Sequence, residues 1–138
     1  MKSMLICHNG DERLFSVMEE LAKYFSVDVA KDESQLERLL MERDYDYILL
    51  PVAGVDESLN IKGSSLHLKE EWFSNFKEKE TTLLTGLIHP KLETTCKDHG
   101  VTCLTYFTED FAIANNYITA EGVIRYLKEL SEKAIFSS

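Results

Sequence analysis

The chain lacks any long hydrophobic run. No apolar stretch comes near the roughly 20 residues that a helix needs to cross a bilayer. The opening Met1-Lys2-Ser3-Met4-Leu5-Ile6-Cys7 has one lysine and too short an apolar core for a secretory signal. Positive charge is scarce too: 15 Lys and Arg stand against 24 Asp and Glu, for a net charge of −9. That balance disfavours a nucleic-acid backbone or an anionic membrane as partner, because both demand basic patches. The three cysteines are odd in number and irregularly spaced, which argues against a disulfide framework and fits a reducing compartment. The six glycines nowhere form G-x-G-x-x-G or a P-loop, so no nucleotide-phosphate turn is expected. These absences predict a soluble, cytoplasmic protein with no nucleic-acid or membrane partner and no cofactor or metal held by this chain.

The 138 residues, 44% of them apolar, suit one globular domain over 1–138 with a core large enough to need no staple. Its centre is Tyr47-Ile48-Leu49-Leu50, an apolar run without alternation that meets Pro51 and then Gly54. Such a run suits a strand buried on both faces of a parallel sheet. Pro51 cannot donate to a ladder, so pairing should stop near it. Met4–Cys7, Val27–Ala30, Thr82–Ile88 and Val101–Phe107 read as further strands. Helical spacing marks Asp11–Phe25, a segment capped by Ser34 and carrying Leu36, Leu39 and Leu40, and Lys69–Phe76. His89-Pro90 opens another helix that Gly100 ends. A short helix over Thr108–Ala114 and a long one capped by Thr119 complete the chain. Asp56–Leu68 breaks the rhythm and resembles a small hairpin around Lys62-Gly63-Ser64-Ser65. The β-α-β-α-β order predicts an α/β domain of three layers, with a five-stranded, mainly parallel sheet and a small hairpin excursion.

In an open α/β sheet, ligands bind just past the carboxyl ends of the strands, which places Pro51, Val52 and Gly54 at the working edge. Gly10-Asp11-Glu12-Arg13 follows the first strand. Backbone N–H groups at a helix start attract anions, and Arg13 can clamp a carboxylate bidentately. The same residues also read as a capped helix with a surface arginine. Thr85-Gly86, in or after the fourth strand, can admit a ligand close to the backbone or serve packing. Cys96, His99 and Cys103 have ligand chemistry for zinc, but no fourth ligand accompanies them. A phospho-acceptor receiver needs an acid at the end of the third strand, where this chain has Pro51. The turn after the first strand lacks the Ser/Thr-rich phosphate loop of a flavodoxin.

Four motifs occur in order: Gly10-Asp11-x-Arg13, Leu50-Pro51-Val52 with Gly54, Thr85-Gly86, and Asn115-x-x-x-Thr119-Ala120-Glu121-Gly122. Together they resemble the N-terminal domain of the dipicolinate synthase A-subunit, over nearly the whole chain. Ile118 departs from the pattern, since the family usually has proline before the threonine. The resemblance implies a flavodoxin-like domain that faces a Rossmann domain, as in the two-domain 2-hydroxyacid dehydrogenases, with substrate in the cleft between. It implies that the full-length enzyme oxidises dihydrodipicolinate with NADP during sporulation. On that basis a small carboxylate ligand should contact Asp11, Arg13, Pro51, Val52, Gly54, Thr85, Gly86, Asn115, Thr119 and Glu121. Glu121 reads equally as a helix-start carboxylate.

The chain reaches Ser138 about where the family's Rossmann domain would begin, so a nucleotide-binding domain in cis or a partner subunit is expected to complete the enzyme. Without a nicotinamide site the 138 residues are not expected to be catalytic alone. The rival is a stand-alone, non-catalytic binding or dimerisation module of the same fold. Trp72, Phe73, Phe76, Tyr117 and Tyr126 would contribute its apolar face.

Overall fold

The computed structural model describes residues 2–10, 18–51 and 53–105. Five strands make one sheet: β1 (Ser3–Cys7), β2 (Ser26–Ala30), β3 (Tyr47–Leu49), β4 (Thr82–Thr85) and β5 (Cys103–Thr105). Their order is β2-β1-β3-β4-β5, and every pairing is parallel. In register, Leu5 faces Asp28 on one side and Ile48 on the other, and Ile48 faces Leu83. The apolar runs become strands because both sheet faces are covered. Leu5, Cys7, Ile48, Leu50 and Leu83 join one buried cluster, while the alternate residues Met4, Ile6, Leu49 and Leu84 are also fully buried.

Helices Glu33–Glu42, Trp72–Glu78 and Pro90–His99 supply Leu36, Phe73, Phe76, Leu92 and Cys96 to that cluster. Pro90 stands at the start of its helix, and Gly100 ends it in the left-handed conformation at φ 71°, both as the sequence predicts. The cap of Glu33–Glu42 differs from expectation. Asp32, not Ser34, accepts from the Gln35 N–H, at 2.8 Å. Asp32 lies three residues before that donor, the spacing a cap needs, whereas Ser34 is already inside the helix. Phe73 and Phe76 are core residues with ring centroids 5.3 Å apart, so neither forms an exposed dimer face. Trp72 is half-buried against the same cluster. Residues 18–21 are helical. The remainder of the first expected helix and the elements expected after Phe107 lie outside the described residues, together with Tyr117 and Tyr126.

The excursion over residues 55–68 is part of the core. Val55, Leu59, Ile61, Leu66 and Leu68 are all buried. It is hairpin-like but held by two isolated antiparallel bridges, Val55–Ile61 and Asn60–His67, rather than by continuous strands. Asp56 ties its first turn: one carboxylate oxygen accepts from the Ser58 and Asn60 N–H groups at 2.8 and 3.0 Å. This knot holds Leu59 at a positive φ of 63°, a conformation that side chains normally avoid. The helix Glu33–Glu42 grips the far end. Glu33 accepts from the His67 N–H at 2.9 Å, and Glu37 pairs with Lys69. Among the described residues, no helix is long and apolar enough to cross a membrane.

Among the described residues, three ionisable groups illustrate how the fold's stability depends on pH. Backbone N–H donors from Ser58 and Asn60 hold the Asp56 carboxyl below its ordinary value. Burial pushes the Cys7 thiol up to about 12. Burial, then its hydrogen bond to Asp28 at 2.8 Å, raises the Tyr45 phenol. A depressed acid contributes stability above its unfolded pKa and loses it as pH falls through the folded one. A raised group contributes fully below its unfolded pKa and loses that contribution as pH rises. Urea unfolding at stepped pH should therefore show a plateau that falls below about pH 4 and again from about pH 9 upward. Tyr45→Phe should lower the plateau by about 1–2 kcal/mol and flatten its alkaline side, because it leaves the Asp28 carboxylate without the phenol donor.

Candidate functional site at the carboxyl edge

The strand order reverses direction between β1 and β3, since the chain adds β2 on one side of β1 and β3 on the other. In sheets of this order the crevice outside the carboxyl ends of those two strands is the place where ligands lie. The turns that leave β1, β3 and β4 therefore define the candidate site.

The β1 turn is His8-Asn9-Gly10. His8 is buried, and its Nδ1 accepts from the Gly10 N–H at 2.8 Å. A neutral imidazole in that arrangement carries its proton on Nε2. Gly10 has a φ of 87°, which directs the chain away from the strand. The Asn9 amide donates to the Lys62 carbonyl at 3.0 Å, and the Lys62 N–H donates to the Gly54 carbonyl at 3.0 Å. The excursion is thus pinned to the ends of both β1 and β3.

The β3 and β4 turns touch directly. β3 ends at Leu49, although Leu50 still donates to the Leu84 carbonyl at 2.7 Å before Pro51 stops the pairing. Gly54 closes a turn onto the Pro51 carbonyl at 3.0 Å. A Cβ on Gly54 would sit 2.4 Å from the Leu87 carbonyl oxygen and 2.9 Å from the Thr85 hydroxyl. β4 was expected to run to Ile88 but ends at Thr85. There the Thr85 hydroxyl donates to the Leu87 carbonyl at 2.9 Å and turns the backbone out of the sheet.

Pro51, Gly54, Thr85 and Gly86 are accordingly brought together, and all four are buried. The close approach of the Leu87 carbonyl and the Thr85 hydroxyl gives Gly54 a packing role. Asp11, Arg13, Val52, Asn115, Thr119 and Glu121 lie outside the described residues. Three residues at this edge were not singled out as site residues in the sequence: Asn9, Lys62 and Leu87. Asn9 reads locally as a turn residue, and its partner is 53 positions away. Leu87 belongs to an expected buried strand, yet it is 60% exposed beside the site.

The chemistry available here is recognition. The N–H groups of Gly10, Gly54 and Lys62 are spent on holding the turns together, and Lys62, pinned to this edge through its backbone, is an exposed cationic residue, whose type suits an anionic ligand. Cys7, at the end of β1, is held protonated by burial and is no nucleophile. Among the described residues no group of three His, Cys, Asp or Glu is arranged to hold a metal. A separate cavity of about 310 Å³ opens at the opposite, amino edge, among Leu40, Tyr45, Ile48, Trp72 and Phe76. It lies away from the switch point, and an ion pair between Lys79 and Asp44 at 2.5 Å borders it.

Two glycine substitutions separate packing from backbone geometry at this edge. Gly54→Ala forces a positive φ of 70° on alanine and a clash with the Leu87 carbonyl, for a combined cost of about 2–5 kcal/mol. Gly10→Ala meets no described atom within 4 Å, so only the backbone cost of about 1–2 kcal/mol is expected. Midpoints of chemical unfolding will rank the two.

Sequence and structure comparisons agree with this geometry. The sequence model of the dipicolinate synthase A-subunit N-terminal domain matches residues 9–107. No curated protein matches the chain. The dipicolinate synthase A-subunit from Bacillus halodurans is 17% identical with a TM-score of 0.59, over 75% of this chain and 40% of that one. The chain thus spans well under half of that synthase. A CheY-like response regulator receiver domain protein from Methanospirillum hungatei JF-1 is 12% identical with a TM-score of 0.62, over 100% of this chain and 99% of that one. Chemotaxis response regulator CheY4 of Vibrio cholerae is 15% identical with a TM-score of 0.58, over 94% and 98%. At such identities the structural likenesses establish the flavodoxin-like α/β fold alone. The sequence match covers most of the chain and includes the β1, β3 and β4 turns, and by it the chain belongs to the family of dipicolinate synthase A-subunit N-terminal domains.

Proposed function

We propose that this chain is the substrate-side domain of a dipicolinate-synthase-A-like, NADP-dependent oxidoreductase. It would convert dihydrodipicolinate to dipicolinate in sporulation, and the chain would not be catalytic alone. The observation that carries the reading is the meeting of the β1, β3 and β4 turns at the switch point within a family match over residues 9–107. A dicarboxylate on a flat ring needs cationic and N–H donors for its charges and an apolar wall for its face. Arg13 and the Gly10-Asp11 turn would bind one carboxylate. Pro51, Val52 and Gly54 would form the wall, with Thr85-Gly86 beside it. Asn115 and Thr119 would hydrogen-bond polar groups of the ligand, and Glu121 would adjoin them.

The β1 turn does not carry the signature of a dinucleotide site. The β1 turn, His8-Asn9-Gly10, has one glycine, engaged with His8, and lacks the glycine repeat that lets a pyrophosphate approach a helix start. NADP, which supplies the hydride acceptor in the proposed enzyme, would be held by a further domain or a partner subunit. The role left to this chain is to bind and orient the substrate.

Titration of the chain with dipicolinate, followed by backbone amide NMR, tests the reading. Shifts should centre on Asn9, Gly10, Ala53, Gly54, Thr85 and Gly86. Arg13→Ala should weaken binding about 10- to 100-fold, the effect of losing a charge-assisted pair. Shifts confined to Tyr45, Trp72 and Phe76 at the opposite edge would refute it.

A further inference from the structure

The excursion over residues 55–68 fills part of the core, and its tip also reaches the carboxyl edge. Residues 61–64 form a tight turn there. The Ser64 N–H donates to the Ile61 carbonyl at 3.2 Å, and Gly63 takes a positive φ of 81° at the third position, the pattern of a type II turn. Lys62 stands at the corner of this turn and is exposed. Its base is fixed, since Ile61 and Leu66 are buried and the Ile61 N–H donates to the Leu66 carbonyl at 2.8 Å.

The backbone of Lys62 is tied on both sides. Its N–H donates to the Gly54 carbonyl and its carbonyl accepts from the Asn9 amide, each at 3.0 Å. Gly63 lies against the same amide: a Cβ there would meet the Asn9 side-chain nitrogen at 3.4 Å. Residue 62 is thus held between the turns that leave β1 and β3, where the strand order reverses. A lysine so placed carries an ammonium on a flexible four-carbon stem at the mouth of the crevice. Other cations of the fold are matched: Lys23, Arg43, Lys69, Lys79 and Lys97 each pair with a carboxylate. Among the described residues no carboxylate pairs with Lys62, in a chain of net charge −9. Both ties at this position are made by the backbone, so the ammonium is left for a ligand.

We propose that Lys62 is a specificity-determining residue that binds the second carboxylate of a small dicarboxylate at the carboxyl edge. The inference rests on the substrate-side reading, which gives one carboxylate to Arg13 and leaves the other without a cation. Two carboxylates call for two cationic partners, and Lys62 is a cation whose backbone is fixed to the turns of that crevice. A monocarboxylate on the same ring forgoes this contact. The excursion therefore makes the site prefer a diacid over the matching monoacid.

The test titrates the chain with dipicolinate and with picolinate, its monocarboxylate counterpart, and follows backbone amide shifts in wild type, Lys62→Gln and Lys97→Gln. Lys97 carries the same charge but lies in the last turn of the helix Pro90–His99, paired with Glu93. Lys62→Gln should lower the ratio of dipicolinate to picolinate affinity about 5- to 20-fold, and Lys97→Gln should leave it within about 2-fold. Lys62→Arg, which keeps the charge, should hold the ratio near that of wild type. The ratio compares two ligands on one protein, so a change in the folded fraction cancels from it. Dipicolinate bound at the carboxyl edge with a ratio that Lys62→Gln leaves unchanged, or that Lys97→Gln lowers equally, would overturn the role of Lys62 and leave the substrate-side reading standing. Dipicolinate shifts centred away from that edge, or no binding by the wild type, would overturn both.

Discussion

A methyl group at position 54 would lie 2.4 Å from the Leu87 carbonyl oxygen, so the turns leaving β3 and β4 can touch only because residue 54 is glycine. The rest of the carboxyl edge follows from that contact. Gly54 also accepts from the Lys62 N–H, and Lys62 accepts from the Asn9 amide. One short chain of hydrogen bonds thus runs from β1 through the excursion to β3, and van der Waals contact carries it on to β4. The described part of this edge is a wall assembled from residues far apart in sequence.

The wall stands on an ordinary foundation. The central strands are buried on both faces, and each fully buried Leu or Ile contributes on the order of 1.5–3 kcal/mol. The excursion adds five more apolar side chains to the same cluster, from Val55 to Leu68. That burial, and the Asp56 knot that holds Leu59 at positive φ, keep the excursion close against the sheet.

The positions of the strands and the ends of the helix Pro90–His99 were legible because their signals are local. The run Tyr47–Leu50 needs no partner to read as a buried strand, and Pro90 and Gly100 mark a helix by the backbone angles they allow. Asp32 and Ser34 are both good caps by type, and only the position of the Gln35 N–H decides between them. The end of β4 was hidden because Leu87-Ile88 looks like strand, while the Thr85 hydroxyl that turns the chain acts through a single hydrogen bond. The placement of Pro51, Gly54, Thr85 and Gly86 at the carboxyl edge was legible because turn residues after apolar runs are conspicuous. Asn9 and Lys62 were not, because their connection spans 53 positions and no local pattern records it.

The central claim is that the carboxyl edge, at the reversal between β1 and β3, receives the small carboxylate. A crystal structure of the chain with dipicolinate bound tests it most directly. The account predicts the ligand against the turns at Gly10, Gly54 and Gly86, with a carboxylate on backbone N–H groups. A ligand seated instead among Tyr45, Trp72 and Phe76 in the cavity at the amino edge would contradict it.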